Sequence, residues 1–553
     1  MQIDLLVRNA SVVTMDDAHP RARTLAVHHG RVIAHDADGL RGRTEIDAQG
    51  ATLVPGFGDA HNHMAWFGQG LDAVDLSGLP DLAGLYARIA ERAATLPVGA
   101  MVVGTGYDDT VIGGHPHRRE LDRAAGGRPV WLTHRSGHVC TVNGPVLERI
   151  GVLDGSAVVP PGGVVVADEA GEPTGVLEEQ AQSLVVALVT PYSVDDLAAA
   201  IGKASVIYAA EGLTHVTECG IGAGWIGRSP LELAAYQQAR DASALTVRVQ
   251  LMPSADALHP LAGHADDVAS LGLDLGLRTG FGDDRLRIGP VKIFLDGSLV
   301  ARTAAMLDPF CDRNSHGYLQ DDPELMRAKM IDAHASGWRV AAHAIGDRAV
   351  DLALDVFAEA QARIPRPGVR HRIEHAAITT PAQIARMAQL GVTPVPQPRF
   401  LYEIGDTMAA AVGVARTDRL YRHGSFLRAG LRVPGSSDRP VATGAPLLGM
   451  QSMVQRCSSS GAVIGPDERV DAMTALRAYT LDAAWAAGEE HERGSLTPGK
   501  LADFVLLTDD ITDEKSVPSD RIGATGVVAT FVGGRCTHGG PSLGLAADSA
   551  SEG

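Results

Sequence analysis

Apolar, β-branched runs recur through the middle of the chain: Thr52 to Phe57, Leu213 to Cys219, Thr246 to Met252, Arg287 to Leu295, Arg339 to Ile345, His371 to Ala376, Gly391 to Gln397 and Leu431 to Ser437. Short runs without a polar face suit strands covered on both sides, the condition met in parallel sheets. Helix-like stretches separate most of them. Eight such runs alternating with helices predict an α/β fold, a (β/α)8 TIM barrel. One connecting helix can be read in detail. Thr380-Pro381-Ala382-Gln383 has capping-box spacing with Pro at the first helical position, Ile384, Met387 and Ala388 form an apolar stripe, and Gly391 ends it. The seventh run is the weakest, because Pro394 and Pro396 cannot donate to a ladder.

The two ends of the chain have a different texture. Asp4 to Arg8, Ser11 to Met15, Thr24 to His28 and Arg31 to Ala34 read as short strands, the last after the turn His29-Gly30. Ala502 to Leu507 and Gly526 to Gly534 have the same β-rich character. A chain that begins and ends in strands predicts a composite β-sandwich holding a central domain. The expected organisation is residues 1–54 as the first part of the sandwich, 55–490 as the barrel, 491–540 as the second part and 541–553 as a disordered tail poor in residues to bury. The interval from Met64 to about Val194 is too long for a simple connection, so residues 65–195 are expected to form an inserted lobe after the first barrel strand, over the site.

Composition narrows the function. At 553 residues the chain exceeds one ordinary compact domain, and a formal charge of -18 argues against nucleic acid or an anionic membrane as partner. It has no apolar stretch of membrane-spanning length and no secretory signal, which predicts a soluble, cytoplasmic protein. Cys140, Cys219, Cys311, Cys457 and Cys536 are scattered, odd in number and never spaced Cys-x-x-Cys, so neither a disulfide framework nor a thiolate zinc knuckle is expected.

The chemistry sits at the ends of the runs. In Pro55-Gly-Phe-Gly-Asp-Ala-His-Asn-His63, two imidazoles one residue apart on an extended segment face the same side and can grip one metal ion. Lys292, His343, His375 and Asp438 each lie in or just after a later run. In a parallel barrel the C-terminal strand ends converge on one mouth, so these residues are expected to meet.

These segments, with Val291-Lys-Ile-Phe-Leu-Asp-Gly297, His343-Ala-Ile-Gly-Asp347, Arg372-Ile-Glu-His375, Ser436-Ser-Asp-Arg-Pro440 and Gly494-Ser-Leu-Thr-Pro-Gly-Lys-Leu-Ala-Asp503, resemble the amidohydrolase superfamily. More narrowly the chain is similar to the amidohydrolase-3 branch, with its YtcJ-like proteins and N-substituted formamide deformylases. The resemblance implies one or two divalent ions, zinc the leading choice, held by His61, His63, His343 and His375, with a carbamylated Lys292 between them and Asp438 beside them. A neutral lysine amine can take up carbon dioxide to become an anionic oxygen ligand, and neutral imidazoles suit zinc and its neighbours. A carboxylate at Asp438 could take the proton of metal-bound water and return it to a departing amine, so no acyl-enzyme is expected. Asp438 could equally cap a helix after its strand.

Other residues carry weaker expectations. His138, Arg302 and Gln397 are candidate substrate contacts; Asp296 and Arg302 could order a loop over the site or pair with each other. Asp347 and Glu374 could hold ligand histidines through hydrogen bonds. His115 and His117 repeat the His-x-His pattern in a Gly-rich loop and read as surface. Arg439 stands where the branch has an aromatic residue and Val300-Ala301 where it has Gly-Ser, which bears on substrate choice.

The expected function is hydrolysis of a non-peptide C–N bond in a small amide-type molecule, an N-substituted formamide, amide, imide or carbamate, by attack of metal-bound hydroxide. The same site could serve a deaminase or an esterase. From other classes, Lys292 could be the nucleophile of a metal-free Schiff-base lyase, or the scaffold could be a binding protein without catalysis. The expected partner is a small-molecule substrate, with neither nucleic acid nor membrane, and a homodimer is the expected assembly.

Overall fold

The computed structural model describes residues 2–543 except 37, 38, 98, 225, 265 and 267–270. Strands from both chain ends share a sheet. Phe504–Leu507 pairs antiparallel with Thr52–Pro55, in a six-stranded sheet that also holds Ser11–Val13, Arg21–Ala22, Val527–Val532 and Arg535–His538. Beside it, Gln2–Arg8 lies between Leu25–His28 and Arg41–Asp47, with Arg31–His35 at the edge. Leu5, Val7, Leu53 and Leu506 meet between these sheets, where Phe504 and Phe531 stack with centroids 4.4 Å apart. Such an aromatic pair is worth about 1 kcal/mol beyond the area it buries. The strand expected to reach Met15 stops at Val13, and Met15 takes a left-handed φ of 55°.

The central region holds two four-stranded parallel sheets. One runs Phe57–Asn62, Leu213–Ile221, Arg248–Pro253, Leu286–Ile288; the other runs Val291–Phe294, Val340–Ala344, Arg372–His375, Thr393–Val395. The expected run Arg287 to Leu295 is thus broken at Gly289-Pro290, its first half ending one sheet and its second half beginning the next. A parallel bridge between Ser254 and Lys292 ties the sheets at this break. At the other side, the expected strand Leu431 to Ser437 carries no strand assignment. Pro434 interrupts its donors, yet Gly435 O accepts from Ala60 N, and His61 O accepts from Asp438 N at 2.7 Å. Pro394 and Pro396 have a similar effect: the seventh strand shrinks to Thr393–Val395 and ladders with Arg372–Glu374 alone.

Helix Pro381–Leu390 forms by the local rules. Thr380 and Gln383 complete a capping box, Pro381 occupies the first turn, and Gly391 closes the helix at φ 64°. Ile384 and Met387 face the core shared by the second sheet.

Between Met64 and Val194 the chain builds a six-stranded mixed sheet ordered Gly163–Ala167, Pro173–Glu179, Val139–Val142, Val130–His134, Val102–Tyr107, Val74–Asp75. It packs its own apolar clusters, one around Leu85, Val102 and Leu132, the other around Cys140, Val146 and Leu177. At the far end, Gly540–Leu543 form a single 3-10 turn, so the expected tail has an ordered start; residues 544–553 lie outside the described residues. Among the described residues no single helix is long and apolar enough to cross a membrane.

Candidate metal centre

His61, His343 and His375 each have one nitrogen committed to the protein. His61 Nδ1 lies 2.5 Å from Glu374 Oε2, and Arg372 donates to Glu374 at 2.7 and 2.9 Å while also reaching Ala60 O. His375 Nδ1 is 2.7 Å from Gln397 Oε1, whose amide donates to Val395 O and Ser436 Oγ. His343 Nε2 is 3.0 Å from Gly297 O. Contacts of this kind fix ring orientation and tautomer, leaving the other nitrogen for a ligand. His61 Nε2 and His63 Nδ1 are buried with no hydrogen-bond partner.

The rings converge: centroids of His61 and His375 are 5.0 Å apart, His343 and His375 4.5 Å, His61 and His63 5.5 Å. Asp438 Oδ1 faces both members of the pair, 3.3 Å from His61 Nε2 and 3.0 Å from His63 Nε2. His61, His63 and Asp438 form a compact group able to hold an ion. Lys292 is fully buried, and its Nζ has no hydrogen-bond partner and lies 4.7 Å from the Phe294 ring.

Two positions here hold strained backbone. His375 sits at φ 71° and Asp438 at φ 59°, a region that costs a non-glycine residue about 1 to 3 kcal/mol. Surrounding bonds sustain it; Asp59 holds Ser437 through its main-chain N–H at 3.0 Å and its hydroxyl at 2.5 Å.

Electrostatics favour neutral nitrogen donors at His63, His343 and His375; at His61 burial opposes the charged form, but the surrounding groups, Asp438 among them, raise the pKa well above the usual range. Burial pulls the His63 pKa down to about 4 and that of His375 to about 3, and it holds His343 well below the ordinary imidazole value. Burial likewise lowers the Lys292 amine, favouring the uncharged form that can react with carbon dioxide. For Asp438, burial would raise the carboxyl, but His61 and the neighbouring imidazoles hold it well below the usual carboxylate range. Buried, orphaned imidazole nitrogens, an unpartnered amine and a carboxylate form a donor set that fits borderline divalent ions.

The weaker expectations fare differently. His138 lines a cavity of about 30 Å³ together with His375, Asp438, Val300, Phe400 and Tyr421, enough for roughly one water. Arg302 does not line it; pairing with Asp312 at 2.5 and 2.8 Å and donating to Val300 O, it holds the loop from behind. Asp296 does not pair with Arg302; it accepts from the amides of Ala305, Ile345 and Gly346. Gln397 is fully buried behind His375, whose ring it orients. Glu374 holds His61, whereas the Asp347 carboxylate accepts from Leu307 N.

Asp438 caps no helix; the following helix starts at Pro446 with Ala445 before it. His115 and His117 are half-buried: Nδ1 of His115 meets the Tyr107 hydroxyl, and His117 caps the helix Arg118–Ala124. Arg439 pairs with Glu211 through two bonds of 2.7 Å and stacks on Phe67, outside the cavity.

Sequence reasoning missed Cys219. With His61 and Glu374 it forms a second compact ligating group, and it lies beneath the site against Met252 and Ala341. A search for paired cysteines passes over it; the available signal was its place at the C-terminal end of an apolar run.

Comparison with known proteins agrees with this chemistry. Residues 44–538 match the family described as "Amidohydrolase family". The N-substituted formamide deformylase of Arthrobacter pascens is 31% identical over 528 residues, covering 92% of this chain and 94% of that protein. The protein LONG AFTER FAR-RED 3 of Arabidopsis thaliana is 32% identical over 550 residues, covering 96% and 91%. An uncharacterized metal-dependent hydrolase from Pyrococcus horikoshii OT3 superposes with a TM-score of 0.72 at 26% identity, covering 92% of this chain and 98% of that one. The chain therefore belongs to the amidohydrolase family, as a hydrolase of carbon–nitrogen bonds.

Proposed function

We propose that the protein hydrolyses a small non-peptide amide, an N-substituted formamide or a related amide, imide or carbamate, at the site of His61, His63, Lys292, His343, His375 and Asp438. The observation that carries this reading is the Asp438 carboxylate, 3.0 and 3.3 Å from the Nε2 atoms of the two paired imidazoles and bordering the small cavity. Its formamide element draws support from the deformylase relative.

In this reading His61, His63, His343 and His375, with Lys292 as its carbamate, would hold one or two divalent ions, zinc by preference. Once bound, such ions ionise water near neutral pH and polarise an acyl carbonyl. Asp438 orients the attacking water, takes its proton as the new C–O bond forms, and delivers a proton to the amine nitrogen as the C–N bond breaks. Gln397, Glu374 and the Gly297 carbonyl keep the imidazoles in one tautomer throughout. Leu299, Val300, Phe400 and Ile404 give the cavity an apolar side that excludes bulk water.

The same proposal takes the two parallel sheets, with residues 431–437, as one closed (β/α)8 barrel, and the two terminal sheets as a composite sandwich. It also takes the protein as a cytoplasmic homodimer acting on a small molecule.

The test is a metal count on purified protein followed by assay of amine release from N-butylformamide, a cyclic imide and a carbamate. Bound metal with amine release from one of these supports the reading. A metal-free protein trapped on Lys292 by borohydride with substrate overturns it.

A further inference from the structure

Glu179 is the last residue of the lobe strand Pro173–Glu179, 3% exposed and held at φ 48°, a region in which an L side chain is strained. Its carboxylate joins three segments far apart in sequence. Oε2 lies 2.8 Å from His138 Nδ1 and accepts from Gln320 Nε2 at 3.1 Å, while Oε1 accepts from the Thr303 hydroxyl at 2.5 Å. The Glu179 amide also donates to His138 O at 2.8 Å. Gln320 and Thr303 belong to the loops that follow Lys292, and Gly297 lies against the same cluster. A Cβ on Gly297 would stand 2.1 Å from Thr303 Oγ1 and 2.8 Å from Glu179 Oε1, so only glycine leaves room for this contact. The Gly297 carbonyl is the group that holds His343.

The other end of the connection is the cavity. His138 lines it with His375 and Asp438, its ring centroid 6.0 Å from that of His343. His138 is therefore the imidazole that the lobe contributes, with Ser136 beside it, to a cavity otherwise walled by the central region. A buried carboxylate with three side-chain donors and strained backbone is costly to build. Its geometry serves to hold one ring in one orientation, as carboxylates do behind other functional histidines.

We propose that Glu179 is a positioning residue for the reaction: it fixes the rotamer and tautomer of His138, which contacts the amide group of the substrate, and it makes closure of the lobe a condition for a complete site. This rests on the amide-hydrolase reading above. Glu179 touches neither the reacting atoms nor a metal ligand, and it acts through His138.

The experiment is a double-mutant cycle on the metal-loaded protein with N-butylformamide, using Glu179→Gln, His138→Gln and the pair, with metal content and Tm measured on each. We expect each single variant to lower kcat/KM about tenfold with metal content unchanged, and the double variant to be no worse than His138→Gln alone. Equal further loss from Glu179→Gln in both backgrounds, or no loss at all, overturns the proposal. A second measurement is independent of turnover: in 15N-histidine NMR spectra His138 should carry its proton on Nδ1 and change on Glu179→Gln. If no formamide, imide or carbamate is hydrolysed by the wild-type protein, the parent reading fails. The spectrum then decides this proposal alone, and a His138 signal indifferent to Glu179→Gln ends it.

Discussion

Glu374 stands directly behind His61: its carboxylate lies 2.5 Å from Nδ1, and Arg372 grips both carboxylate oxygens from the far side. All three side chains are fully buried. Burial would favour a neutral carboxyl, but Arg372 and His61 hold Glu374 well below the usual range, so it stays charged and keeps the His61 proton on Nδ1.

Glu374→Gln is accordingly expected to weaken metal binding about 10- to 100-fold, measured by competition with a chelator. The variant also leaves Arg372 without its counter-charge, a loss of about 3 to 5 kcal/mol in denaturant unfolding. Unchanged metal affinity would remove the orienting role given to this carboxylate.

Asp438→Asn keeps the shape of the side chain and removes its ability to take a proton. Turnover should fall about 10²- to 10⁴-fold with metal content retained, as read by steady-state kinetics alongside elemental analysis. Retained turnover would falsify the proton-transfer role.

Metal removal and Lys292 are linked. After chelation, zinc with bicarbonate should restore activity to the wild-type protein, whereas zinc with carbon dioxide excluded should restore much less. Lys292→Ala should respond to neither. Because ions bind the folded chain alone, Tm should rise with metal concentration, by about 2.7 kcal/mol of stability at a hundredfold excess over Kd. Equal recovery with and without bicarbonate would count against the carbamate.

Glu218 offers a stability test away from turnover. It is buried beside Tyr236, and burial pushes its carboxyl up from the usual 4.5 to about 8. The folded chain therefore holds a proton there that the unfolded chain releases between those values. This contribution is complete below pH 4.5 and is lost as pH rises to about 8. Glu218→Gln should flatten that part of the Tm-against-pH curve, and an unchanged slope would show that Glu218 is ionised in the folded chain.

Much of the arrangement was legible one segment at a time. The helix Pro381–Leu390 follows from a capping box and a terminal glycine, both local signals. The strand ends could be read because buried parallel strands leave continuous apolar runs. Where proline removes donors, as at Pro394 and Pro434, the same runs overstate the strands. The second-layer contacts were harder. The partners of Gln397 and Arg302 could not be read from position: one faces inward behind His375 and the other outward to Asp312. No periodicity records which way a loop side chain turns.

The order of residues along the chain by itself determined the strand-and-helix alternation, the β-rich ends and the placing of His61, His63, Lys292, His343, His375 and Asp438 at apolar run ends, because each depends on local spacing and hydrophobic pattern. Only the tertiary structure decided which imidazole nitrogen is committed, that Cys219 lies beneath the site, and that Glu179 reaches His138, Thr303 and Gln320 at once. Those contacts join residues up to 313 positions apart, and hydrogen-bond partners at such separations are set by how the sheets pack.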